Sequence, residues 1–182
     1  MKNGIRTLLA TIGVSAAAIS GAAQAQDESG EAMFADAVVE TCGEYFFKSW
    51  NIEASSEGTG LSFTKLAMGE SFPGPGGVVA GMPVFGVDGA DMYVHENIAV
   101  GRCEIFAGGL VVAEAFDAVA AQAVTEEKGF VAVDPGVEAA PGVSFARYER
   151  VVDDIVFFLA LSGFETADRT SLTAVTSFYP AS

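Results

Sequence analysis

Apolar residues recur every four positions from Phe34 through Val38 and Cys42 to Phe46, with Thr41 and Tyr45 alongside. Asp36, Glu40 and Glu44 fall largely on another side. This spacing predicts an amphipathic helix over 31–49, with Ser29 as its N-cap and Gly43 as a weak point in its interior. A second helix over 111–128 places Val112, Phe116, Val119, Ala120 and Ala123 on one face, with Gly129 as its stop and Phe130 as the apolar contact that follows. Elsewhere the period shortens to two. One strand is expected within 60–69 and a pair across 92–106. Three more lie in series at 143–151, 155–163 and 171–179. Seven successive apolar residues at 155–161 predict a central strand covered on both faces.

Turn-forming residues separate these runs at 53–60 and at 134–142. The stretch 69–91 holds seven Gly and three Pro in 23 positions, so it is no helix and at most short irregular strands. It reads as a hairpin with an ornate turn, or as a lid in which Phe72, Met82 and Phe85 close over a ligand. The order is helix, strands, helix, strands. The two halves, 31–107 and 110–179, share that outline without a residue-level repeat. The expected fold class is α+β: an antiparallel β-sheet with two helices packed on it and one disulfide.

The chain of 182 residues has room for one domain. Its first 25 residues read as a secretory signal peptide. Lys2 and Arg6 precede an Ala-rich apolar run, which ends in Ala23-Gln24-Ala25. The run is too short and too diluted by Ser, Gly and Thr for a membrane span. No Cys adjoins the cleavage point and no twin-Arg pair is present, which points to the general secretory route. The expected location is periplasmic or secreted, with no membrane span after cleavage and 26–182 as a single domain.

Charge narrows the partners. Of 9 Lys and Arg, Lys2 and Arg6 leave with the signal; the remaining 7 face all 24 acids, a net charge of −17. Seven scattered cations build no basic patch, so nucleic acid is excluded as a partner. One His excludes His-pair metal sites, and two Cys exclude a Cys-only zinc site.

Those two, Cys42 and Cys103, would pair in an oxidising compartment. Cys42 lies on the inner face of the first helix. Cys103 alternates with Arg102 and Glu104, which puts it on the inner face of a strand. A helix-on-sheet contact would join them. Their spacing is unlike the C-x-x-C of redox pairs.

Motif chemistry is sparse. Ser62-Phe63-Thr64-Lys65 matches S-x-x-K, but the companion S-D-N and K-T-G elements are absent. The glycine spacing of Gly76 and Gly81 suits a phosphate loop, yet Met82 and Pro83 stand where Lys and Ser or Thr must be. His95 beside Glu96 could do acid–base work, but no nucleophile has a recognised spacing to it. Asp88, Asp91 and Glu96 form a weak calcium candidate whose spacing is not that of an EF-hand. Arg147 and Arg150 fall on opposite faces of a regular strand, which favours ion pairs over an anion clamp.

The combination of a signal peptide, a helix with the run FADAVVETCGEYF, a strand with GRCEIF and a second helix with VAEAFDAVAAQAV resembles small exported proteobacterial proteins of unknown function. The resemblance covers about residues 30–130. It implies export and a helix-to-sheet disulfide, and it carries no activity or site. The expected function is an exported binding or protein-interaction module for a small ligand or a protein partner, with no cofactor. The alternative is a small carboxylate-dependent hydrolase, for which 24 acids offer too many pairs to choose among.

Overall fold

The computed structural model describes residues 29–48, 50–72 and 77–181. The proposed signal segment 1–25 lies outside them. Eight strands form one antiparallel sheet: β1 (Phe63–Lys65), β2 (Val84–Val87), β3 (Met92–Asn97), β4 (Arg102–Gly108), β5 (Val131–Ala140), β6 (Val143–Val152), β7 (Ile155–Glu165) and β8 (Thr170–Pro180). Their spatial order is β1-β2-β3-β4-β8-β7-β6-β5. Two four-stranded meanders thus meet where β4 pairs with β8, with Cys103 opposite Thr176 and Ile105 opposite Ala174.

Three α-helices accompany the sheet: α1 (Gly30–Asp36), α2 (Ile52–Ser55) and α3 (Val112–Ala123). The fold is an antiparallel sheet with helices and one disulfide, as expected of the α+β class, although strand dominates. Both longer helices cover a single face, called inner here. That face presents Met92 and Val94, Ile105 and Ala107, Leu172 and Ala174, and Leu159 and Leu161, all buried in one core with Phe34, Val38, Ala115 and Val119.

The first helix departs from its predicted course. Ser29 does cap it, its hydroxyl accepting from the Ala32 N–H at 3.2 Å. After Asp36 the chain widens into a π-helical turn, Ala37–Cys42, and then into turns. The Gly43 N–H donates to the Val38 carbonyl at 2.8 Å, five residues back. A Cβ at Gly43 would collide with the Val39 carbonyl oxygen, so the glycine that looked like a weak point is what permits the wider turn. Phe34, Val38 and Cys42 are fully buried, as their spacing predicted.

Helix α3 is shorter than its 111–128 prediction. It ends at Ala123 with Val124 as its C-cap, so Gly129 is not its stop; a run of turns follows, in which Gly129 takes φ 67° and Phe130 is buried. The helices α1 and α3 run side by side in the same direction. Glu31 accepts from the Val111 N–H at 3.1 Å at their starts, and Gln122 donates to Asp36 at 2.7 Å farther along. A two-fold axis relating β4 to β8 would make these helices antiparallel. The similar outline of the halves is therefore not a structural duplication.

The segment 53–60 is mostly turn as read, but its first three residues belong to α2, which Asn51 caps by accepting from the Ala54 N–H at 2.9 Å. Most of 134–142 belongs to β5, an edge strand with three register shifts and a proline. Those irregularities erase the alternation by which a strand is recognised. The 69–91 stretch is closer to the hairpin than to a lid. Ser71 bridges Val78, and Phe72 and Val79 pack against Val84 and Phe106 on the outer face of β2–β4. Strand β7 is central, but among the described residues no helix covers its outer face.

Candidate functional site

Four chemically notable places emerge. The Cys42–Cys103 disulfide is formed, with Cα atoms 5.5 Å apart. Both cysteines are fully buried. Thr176 sits directly opposite Cys103 and places its hydroxyl against the carbonyls of Cys42 (3.1 Å) and Cys103 (3.3 Å). The bridge ties the π-helical turn to the middle of the sheet and is closed off from solvent, which suits a staple rather than a redox centre.

Glu96 is the other partner of Cys103 in the β3–β4 ladder. It points inward, is only 5% exposed, and accepts from the Ile52 N–H at 2.7 Å. Burial pushes its carboxyl pKa up, an effect opposed by that hydrogen bond and by Lys65. Tyr45 is buried in the same region, and burial together with the charge of Glu96 pushes its phenol up to about 12. Glu96 thus anchors the first turn of α2.

This inward turn separates Glu96 from its sequence neighbours. Asp88 and Asp91 lie at the β2–β3 turn, while Glu96 is near the far end of β3. Asp88 accepts from the Thr64 hydroxyl at 2.9 Å. The calcium candidate is not assembled, and among the described residues no group of three His, Cys, Asp or Glu could hold a metal ion. His95, one residue away, points outward. Its partner is Glu104, directly across the ladder at 3.0 Å, not the adjacent Glu96. The ring of Phe72 lies 6.4 Å from the imidazole.

The proposed apolar lid is split likewise. Phe72 is buried in the outer cluster, whereas Phe85 is buried in the main core. Met82 is half-buried between them in sequence, in the approach to β2. Phe72 and Phe85 therefore do not line one surface. Ser62 and Lys65, three apart on and beside β1, are both exposed.

The arginines lie on opposite faces. On the outer face Arg147 pairs with Glu149 at 2.7 Å and lies over the Phe158 ring at 4.8 Å. On the inner face Arg150 is held between the rings of Phe47 (4.6 Å) and Phe130 (4.8 Å) and donates to the Lys128 carbonyl. Both serve packing and ion pairing.

The fourth place was not foreseen. A cleft of about 550 Å³ opens where the β7–β8 turn stands beside the end of β4. Asp91, Glu165, Asp168 and Arg169 bring charge to it. Thr166, Ser171 and Thr173 add hydroxyls and Phe106 borders it, while the side chain of Leu172 turns into the inner core. The Asp91 backbone carbonyl accepts from the Gly108 N–H at 2.9 Å. Its carboxylate occupies the space that a Cβ at Gly108 would need. Gly109, next along, has φ 73°. Gly108 thus makes room for an acid. Among the described residues Arg169 forms no ion pair, although its backbone closes the turn with Thr166. Sequence reasoning missed the cleft because its residues come from three places distant in the chain.

No helix among the described residues is long and apolar enough to cross a membrane. Comparison with family models, curated proteins and solved structures returned no match.

Proposed function

We propose that the protein is an exported binding module whose cleft takes a small polar ligand carrying a cationic group and a carboxylate, such as a basic amino acid or a short basic peptide. The observation that carries this reading is the placing of Arg169, without an ion-pair partner among the described residues, beside Asp91, Glu165 and Asp168 in one cleft. Acidic residues in the lining suit an ammonium or guanidinium, and the one guanidinium suits a carboxylate. The volume lies within the range of small-molecule sites. A closed disulfide supports export, since such bonds persist in oxidising compartments.

The hydrolase alternative gains nothing from Glu96. Its raised carboxyl is sealed in the helix–sheet interface, away from the cleft. A general acid must reach its substrate.

Calorimetric titration with L-arginine tests the proposal. Binding that Arg169→Ala and Asp91→Asn each weaken about tenfold or more supports it. Binding that neither variant alters would place the ligand elsewhere and overturn it.

A further inference from the structure

We propose that the outer face of β6, β7 and β8, with the edge of β5, is the surface through which two copies of this chain associate face to face. That face carries an unusual apolar load. Val131 is 61% exposed, Val151 is 64% exposed with Tyr179 in the same cross-strand row, and Phe164, 49% exposed, lies at the other end of the face. Phe145 and Phe158 stand half-buried between them. Strand register places Val151, Phe164 and Tyr179 on one side: Val151 pairs with Val156, Val156 with Tyr179, and Phe164 with Ser171. The helices all pack on the opposite face, so nothing among the described residues covers this one. Exposed apolar side chains spread over one face, broken only by the Arg147–Glu149 pair and a few hydroxyls, mark an interaction site.

Three observations select a second copy as the occupant. The first is charge. In a chain of net −15, the strands of this face point only Asp134, Arg147 and Glu149 outward among their charged residues, the last two already paired at 2.7 Å, with Asp153 and Asp154 at the adjoining turn. Two such acidic molecules repel least through this face. A two-fold contact also offers the Arg147 of each copy the acids of the other. An anionic lipid surface, by contrast, would be repelled by the molecule as a whole.

The second is area. Four strands about 4.8 Å apart and ten residues long at about 3.3 Å each project roughly 600 Å². The side-chain relief raises this towards the roughly 800 Å² per partner of a stable interface. The third is the blocked alternative. The β5 edge holds Pro135 and three register shifts, which obstruct edge-to-edge pairing and leave the face.

Sedimentation velocity on the protein recovered from exporting cells tests this. At about 50 µM it should sediment as a dimer. Association should strengthen as salt is raised, because screening removes like-charge repulsion while the apolar contact remains. The double variant Val151→Glu with Phe164→Glu should dissociate at least about 100-fold more readily with unchanged circular dichroism, both positions being exposed. Ile98→Glu, at an exposed apolar site on the β3–β4 turn, should leave the dimer intact. A monomer at every concentration and salt would overturn the proposal. So would a dimer that survives the double variant, or one that Ile98→Glu disrupts equally.

Discussion

Glu96 and Cys103 face each other across the β3–β4 ladder, and both hold the same N-terminal segment. Cys103 reaches Cys42 through the disulfide, and Glu96 reaches the N–H of Ile52. One cross-strand pair thereby fixes both ends of the stretch from the π-helical turn to α2. The two ties differ in kind. One constrains the unfolded chain, while the other depends on pH.

Burial holds the Glu96 carboxyl above the ordinary carboxylate range. The folded state therefore retains this proton to higher pH than the unfolded chain does. Stability contributed here falls as pH rises from the ordinary value of 4.5 towards the raised one, and the loss is complete above it. Glu96→Gln, which keeps an acceptor for Ile52, should abolish that fall. Thermal denaturation of both proteins between pH 4 and 8 checks this: the wild-type melting temperature should decline relative to the variant as pH rises. Parallel curves would show that Glu96 titrates like a surface acid.

The disulfide closes a separation of 61 residues. Loop-closure entropy gives it about 4 kcal/mol of stabilisation. The Cys42→Ser, Cys103→Ser double variant should lose roughly that amount in urea unfolding. A loss below about 1 kcal/mol would mean that Glu96 and the core alone fix the segment.

Gly163 lies where α3 approaches the sheet. A Cβ there would collide with Val112, and the residue lacks positive φ, so the need is for space alone. Gly163→Ala should destabilise by about 1–3 kcal/mol through overpacking. Adding Val112→Ala should recover much of that loss. Failure of this rescue would remove the steric account.

The β6–β7 turn holds Asp153 at φ 49° and Asp154 at φ 62°, both in the left-handed region. Two such residues between paired strands make a type I′ hairpin turn, for which the second position favours glycine. Asp154→Gly should stabilise by about 0.5–1 kcal/mol, a rise of roughly 1–4 °C in Tm. An unchanged or lower melting temperature would contradict it.

Much of this fold was legible because its signals are local. The four-residue spacing of Phe34, Val38 and Cys42 identified the buried side of the first helix. The alternation of Arg102, Cys103 and Glu104 identified the inward cysteine. The same alternation, applied to Glu96, predicts that it points away from His95, and the ladder supplies Glu104 instead. What stayed hidden was non-local or irregular. The π-turn at Gly43 conserves an apolar side while changing the helix beneath it. Strand β5 loses its alternation to bulges around Pro135. The cleft needs Asp91, Gly108 and Arg169 together, and only the β4–β8 pairing brings their segments to one end of the sheet. Phe72 and Phe85 looked like one lid because both are aromatic in one glycine-rich stretch, yet the sheet divides them.

The functional reading stands on ligand binding at the cleft. Amide-resolved NMR titration of the protein with L-arginine, to about 1 mM or above, tests it most directly. Shift changes are expected at Asp91, Gly108, Gly109 and residues 165–173, and should be lost in Arg169→Ala. An unperturbed spectrum, or changes confined to other parts of the sheet, would contradict it.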